Sequence, residues 1–144
     1  MNILFSRQCE YALQAVMYIA LKDEREMVSI IDLADTLHIP FHFLAKILQD
    51  LTYKRLLVSQ KGPAGGFGIA RSAQRITLLQ IIDAIDGDSF MQDCVLGLAQ
   101  CSKENPCALH EEWSKSRDGI VSMLTRTGIA EMAGRMKKPQ YQRK

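Results

Sequence analysis

No run of this sequence approaches the ~18 consecutive apolar residues that a membrane-crossing helix requires, although 47% of its 144 residues are hydrophobic. The opening MNILFSRQCEYAL has no basic segment leading into an apolar one and a small-residue cleavage site, the pattern of an export signal. The expectation is a cytoplasmic protein with no membrane partner. Cysteine is scarce, four residues in all, and the three that cluster include no C-x2-C pair, the usual mark of a structural zinc knuckle. In a reducing compartment disulfide staples are not expected, and a chain of this length builds a core without them. Also missing are a nucleophile beside a base, a Walker-type phosphate loop and a pair of catalytic carboxylates. Those absences argue against an enzyme and against a small-molecule substrate.

Net charge is low, +2, but unevenly spread. From Lys46 to Arg75 six basic residues (Lys46, Lys54, Arg55, Lys61, Arg71, Arg75) face the single Asp50, and from Asp83 to Glu112 seven acids face the single Lys103. A cationic middle suggests contact with a polyanion, and an acidic cysteine segment suggests a second task. The tail RMKKPQYQRK is basic and has no apolar period, so 135–144 reads as a disordered tail.

Helical spacing is plain in three early stretches. Ala12, Ala15, Val16 and Ile19 make one stripe; Ile30, Leu33, Ala34 and Leu37 make a second, with Ser29 and Asp32 placed as a capping pair; Leu44, Ile47, Leu48 and Leu51 make a third. Pro40 breaks the second from the third, since it disfavours helix at Ile39 and suits the first turn of a new helix. Two short helices joined by a tight break form a helix-turn-helix pattern. The β-prone LLVSQ, the glycine-dense KGPAGGFG and the returning IAR then make a basic hairpin, a wing. The fold class expected is mainly α with a small β-hairpin, a winged helix-turn-helix over 1–76. Thr77 caps a fourth helix with Leu78, Ile81, Ile82 and Ile85 on one face, ending at Gly87, and a longer helix beyond Pro106 carries Leu109, Trp113, Ile120 and Leu124. Residues 77–134 are thus expected to hold a cysteine loop and dimerisation helices, pairing with a second copy of the chain.

In CVLGLAQCSKENPCALH, Cys94, Cys101 and Cys107 are separated by six and five residues, and His110 lies one helical turn past Cys107. Spacings this wide, on a loop rich in Gly, Ser, Asn and Pro, suit an iron–sulfur cluster better than zinc. Zinc and a bare thiol redox switch remain the alternatives.

The motifs EYAL, HIPFHFLAKIL, KGPAGGFGIAR and the three cysteines followed by ALHEEW resemble, over nearly the whole chain, the IscR/NsrR family of bacterial winged-helix regulators. That resemblance implies a homodimer with swapped long helices, double-stranded DNA with a palindromic operator as partner, and a 2Fe-2S or 4Fe-4S cluster that controls operator binding, most simply as a repressor sensing redox state, nitric oxide or iron–sulfur supply. It implies Cys94, Cys101 and Cys107 as thiolate ligands. The fourth ligand is either His110 or, across the dimer, Glu10 on helix one; Cys9 matches no ligand and reads as a packing residue. On the DNA side the resemblance points to Pro40, His42, Phe43, Ala45 and Lys46 in the recognition region and to Lys61 at the wing. Phe43 suits either thymine methyls or the core. Gly62, Gly65 and Gly66 serve the turn first and phosphate second.

Overall fold

The computed structural model describes residues 4–22, 26–70 and 75–135. Its elements run α1 (Arg7–Ala20), α2 (Ile30–Leu37), α3 (Phe41–Tyr53), β1 (Leu57–Gln60), β2 (Gly66–Ile69), α4 (Leu78–Asp86), α5 (Ser89–Gln92), α6 (His110–Arg126) and α7 (Ile129–Arg135). The protein is mainly helical with one two-stranded antiparallel hairpin, a winged helix-turn-helix. The expected tail falls, except for Arg135 at the end of α7, outside the described residues, as does Arg71.

Three of the first four helices begin at a side-chain cap, of which Ser29 and Thr77 were expected and Ser6 was not. Ser6 caps α1 by accepting from the Cys9 amide, Ser29 caps α2 by accepting from the Asp32 amide, and Thr77 and Gln80 form a reciprocal capping box on α4. The Asp32 carboxylate takes hydroxyl hydrogen bonds from Tyr18 and Thr36, which ties α1 to α2. Between α2 and α3 His38 adopts the left-handed conformation, φ 54°. The chain reverses there, and Ile39 drops into the core with its amide on the Ala34 carbonyl. Pro40 stands at the N-cap of α3, one position before the first helical turn.

The core gathers the predicted stripes: Ala12, Val16, Leu33, Leu44, Ile47, Leu48 and Leu51 are all buried together. Burying a side chain of the Leu or Ile class contributes about 1.5–3 kcal/mol, so α3 is held by its inner face and its outer face stays free. Ile76, Ile81 and Ile129 belong to the same cluster. The chain thus returns from α6 to the winged domain. The Ile129 amide donates to the Ile76 carbonyl, the Leu78 amide to the Thr127 carbonyl, and α7 lies on α1.

The wing differs from its sequence outline in two ways. The second strand starts inside the glycine-rich segment, pairing Gln60 with Gly66, Ser59 with Phe67, Val58 with Gly68 and Leu57 with Ile69. Val28, in the linker before α2, also bridges Phe67 with two backbone hydrogen bonds of 2.8 and 2.9 Å. The glycines permit that approach: a Cβ at Gly66 would stand 2.3 Å from the Val28 carbonyl oxygen. The long stripe on α6 is also narrower than expected. Leu124 is buried, Trp113 and Ile120 are half-buried, and Leu109 is exposed just ahead of the helix.

Candidate metal centre and nucleic-acid surface

The segment between α5 and α6 is a chain of tight turns with a cysteine at the end of three of them. The Gly97 amide donates to the Cys94 carbonyl, the Cys101 amide to the Leu98 carbonyl, and the His110 amide to the Cys107 carbonyl. Gly97, at φ 73°, closes the first turn in a conformation that suits glycine. Asn105 closes the intervening loop, its amide donating to the Ser102 hydroxyl and its side-chain NH2 to the Gln100 carbonyl. These local bonds bring three thiols from wide sequence positions to within 4.8 Å of one another. Cys94 Sγ and Cys107 Sγ are 3.6 Å apart, and Cys101 Sγ is 3.2 Å from Nδ1 of His110. None of the three is in a disulfide.

Their electrostatics are unequal. The Leu98 amide, helped by the Leu96 amide and the neighbouring thiols against partial desolvation, pulls the Cys94 thiol down to about 7. At Cys101 the Cys107 amide pulls downward, but desolvation and the two other thiols outweigh it and raise that thiol. Cys94 is thus cradled by amide donors as a thiolate ligand is. Cys9 is the opposite case. It is fully buried against Ile82 and Leu124, and burial, then the charge of Asp86 and a hydrogen bond to it, pushes it up to about 12. Its expected role in packing is what the structure shows.

A cavity of about 110 Å³ adjoins the triad, and one face of α6 (His110, Trp113, Ser114, Arg117) forms a wall of it. Trp113 was read from sequence only as part of an apolar stripe and Arg117 was not singled out, although their spacing from His110 places both on its helical face. Trp113 also ties the loop to the rest of the fold. Its indole N–H donates to the Asp93 carbonyl, its ring meets Phe90 edge-on at 6.2 Å, and Phe90 meets Phe5 at 6.4 Å. Next to Phe5, Ser6 donates both its amide and its hydroxyl to the Asp86 carboxylate at the end of α4. Glu10 lies on α1, half-buried with Oε2 fully covered, and is not among the groups that converge on the thiols in this protomer.

On the nucleic-acid side, Pro40, His42, Phe43 and Lys46 are exposed along the leading half of α3, and Ala45 is half-exposed. Phe43 is 59% exposed, which decides its ambiguity: it faces outward. Phe41, 47% exposed and edge-on to His42, joins it on that surface and was missed because an aromatic next to a core stripe looks like core. Lys61 and Gly62 are exposed at the wing turn, which the Gly65 amide closes on the Gly62 carbonyl, while Gly65 and Gly66 are half-buried at its base.

The sequence pattern of the Rrf2 family, described as an iron-dependent transcriptional regulator, matches residues 5–135. An HTH-type transcriptional regulator of Aquifex aeolicus is 34% identical over 90% of this chain and 91% of its own length. Among solved structures, CymR of B. subtilis, a global cysteine regulator, superposes with a TM-score of 0.78 at 22% identity, covering 95% of this chain and 99% of that one. IscR of T. potens superposes with a TM-score of 0.73 at 20% identity, covering 96% and 93%. At those identities the two structures establish the fold. Among the described residues no helix is long and apolar enough to cross a membrane.

Proposed function

The chain belongs to the Rrf2 family of transcriptional regulators, and from that premise we propose that it is a homodimeric regulator whose grip on a palindromic operator is set by an iron–sulfur cluster. The observation that carries this reading is the convergence of three unbridged thiols with a histidine on a loop that contributes almost nothing to the core. Soft thiolates with imidazole are a donor set for iron–sulfur clusters, and the amides aimed at Cys94 stabilise a charged sulfur. Cys94, Cys101 and Cys107 hold the group, and His110, already beside Cys101, is the fourth donor; Glu10 from a second copy is its competitor. When bound, the cluster supplies redox and nitric-oxide chemistry that alters its own charge and ligation.

The protein's part is to convert the order of that loop into the placement of α3. Trp113, Phe90 and Phe5 run from the cysteine site to the start of α1, and α1 packs on α3. In a dimer, two α3 helices read successive major grooves only at a spacing of about 34 Å, so a small change in how the copies sit changes affinity. Lys46 and Lys61 supply phosphate contacts, and the exposed Phe41 and Phe43 supply apolar contacts to bases or sugars.

One distance favours a second reading. The 3.6 Å between Cys94 and Cys107 is close to the ~3.8 Å edge of a tetrahedron around a single ion with bonds of about 2.3 Å to sulfur, as a Cys3His zinc or iron site would have. Anaerobic purification separates the two. Iron with an equal amount of acid-labile sulfide, visible absorption and a difference in operator binding between loaded and stripped protein support the cluster. Colourless protein with one zinc per chain supports the single ion. Operator affinity that is identical in every metal state removes the sensor.

A further inference from the structure

The three thiols are not equivalent neighbours. Cys94 Sγ has Cys107 Sγ at 3.6 Å, whereas Cys101 Sγ has the imidazole of His110 at 3.2 Å. Cys94 also forms part of the wall of two cavities. One, of about 110 Å³, it shares with the other thiols; the other, of about 190 Å³, is lined by Phe90, Val95 and Trp113 and by neither Cys101 nor Cys107. A small oxidant can therefore approach Cys94 from a side that neither Cys101 nor Cys107 lines. Around it Val95, Leu96 and Leu98 are about half exposed, so the turns that carry the thiols are not locked by packing. Closing the Cys94–Cys107 gap to the roughly 2.05 Å of a covalent S–S bond calls for side-chain rotation and a slight shift of an exposed turn.

From this arrangement we propose that Cys94 and Cys107 form a reversible intramolecular disulfide when the thiols carry no metal and meet a hydroperoxide, and that Cys101 stays a thiol beside His110. The Cys94 sulfur attacks the peroxide O–O bond, which breaks; one oxygen remains on sulfur as a sulfenic acid, and the other leaves as water or an alcohol with the proton given up by the Cys94 thiol. The Cys107 sulfur then attacks the Cys94 sulfur, the S–O bond breaks, and water leaves with the Cys107 proton. Two thiols have lost two electrons and one peroxide has gained them. A dithiol reductant reverses the bond by exchange. The disulfide removes two of three sulfur donors at once, so an oxidised site refuses metal until it is reduced, and Cys94 is protected from oxidation past the sulfenic stage. The inference rests on where the thiols lie and holds for either metal reading, so iron, sulfide and zinc content test the proposed function separately.

The test uses the full chain, stripped of metal by a chelator under reductant, freed of both and treated with one equivalent of hydrogen peroxide. Free thiols are then alkylated and the protein is digested with trypsin. Lys103 separates Cys94 and Cys101 from Cys107, so a 94–107 bridge appears as two linked peptides and fragmentation shows which sulfur is joined. The expected result is a loss of two thiols per chain, a Cys94–Cys107 linkage as the main product, and an alkylated Cys101. Cys101→Ser keeps the linkage, while Cys94→Ser and Cys107→Ser abolish it, with circular dichroism confirming the fold of each variant. Oxidised protein gives no thiolate-to-cobalt absorption on addition of Co(II) until dithiothreitol restores it. A main disulfide that includes Cys101, loss of the bridge in Cys101→Ser, or oxidation only to intermolecular dimers would overturn the proposal.

Discussion

Between Leu33 and Leu57 the chain buries a fully packed set of leucines and isoleucines, whereas from Asp83 to Met123 no residue is buried at all. The first region owes its shape to apolar surface taken out of water, each side chain held by several others. Within the second, the stretch from Cys94 to Leu109 is built from single turns, local hydrogen bonds and three clustered sulfurs, and its exposed Val95, Leu96, Leu98 and Leu109 add nothing to a core. A region of that kind has little stability of its own and takes its order from whatever the sulfurs bind. The helix-turn-helix and the cysteine loop thus sit on opposite ends of a stability gradient within one chain, and on the proposed function a small chemical event at the weak end would be felt without unfolding the strong end.

The contrast breaks most visibly under truncation of side chains. Leu44→Ala should cost about 2–5 kcal/mol, as buried leucines do, lowering the thermal midpoint and removing DNA binding with the fold. Leu98→Ala should stay within about 0.5 kcal/mol. Denaturant titration of the two variants side by side measures the gradient, and equal losses would erase it. Metal removal comes next. Chelation should shift operator affinity by about 5- to 150-fold, the range of a ~1–3 kcal/mol coupling. Amide exchange should speed up through 94–110 while Leu44 to Leu51 stays protected, and loss of protection in both would mean that the regions unfold as one.

A smaller effect is expected where the two regions are tied. Ser6→Ala removes the α1 cap and one hydrogen bond to Asp86 and should cost about 0.5–2 kcal/mol. If the link matters for signalling, it also narrows the affinity difference between loaded and stripped protein. The least stability change belongs to the reading surface itself. Lys46→Ala and Lys61→Ala should leave unfolding unchanged within about 0.5 kcal/mol yet each reduce the salt dependence of operator binding by about one counterion. Unchanged slopes in both would take this surface out of the interface.

The well-packed region was the more legible one. Helical stripes located α1 to α4, with capping residues marking the starts of α2 and α4, because burial imposes a 3.6-residue period. The bridge from Val28 to Phe67 left no such trace, since one residue has no period. Helices α5 and α7, at four and seven residues, are too short to show one either. At the candidate metal centre the group of three thiols was legible from type and clustering, but its arrangement was not. Which sulfurs face each other depends on the turns at Gly97, Asn105 and His110, and His110 reaches Cys101 although its nearest sequence neighbour among the donors is Cys107. Phe43 was undecided because its neighbours Leu44 and Ile47 point inward, and only the helix orientation settles that it points out.

The wing's steric limits bear on how such a protein acquires a new target. A Cβ at Gly65 would stand 2.1 Å from the Gln60 carbonyl oxygen and one at Gly66 2.3 Å from that of Val28. Any side chain at those two positions prises the hairpin off its base before it touches DNA. Gly62 faces open space but sits at φ +106°, a conformation that admits few residues besides glycine. Lys61, Pro63 and Ala64 are exposed and carry no such penalty. If the wing and α3 read DNA as proposed, divergence among copies of this gene, or a library built to retarget it, is therefore channelled into a three-position alphabet at the tip of an unalterable hinge and onto the outer face of α3.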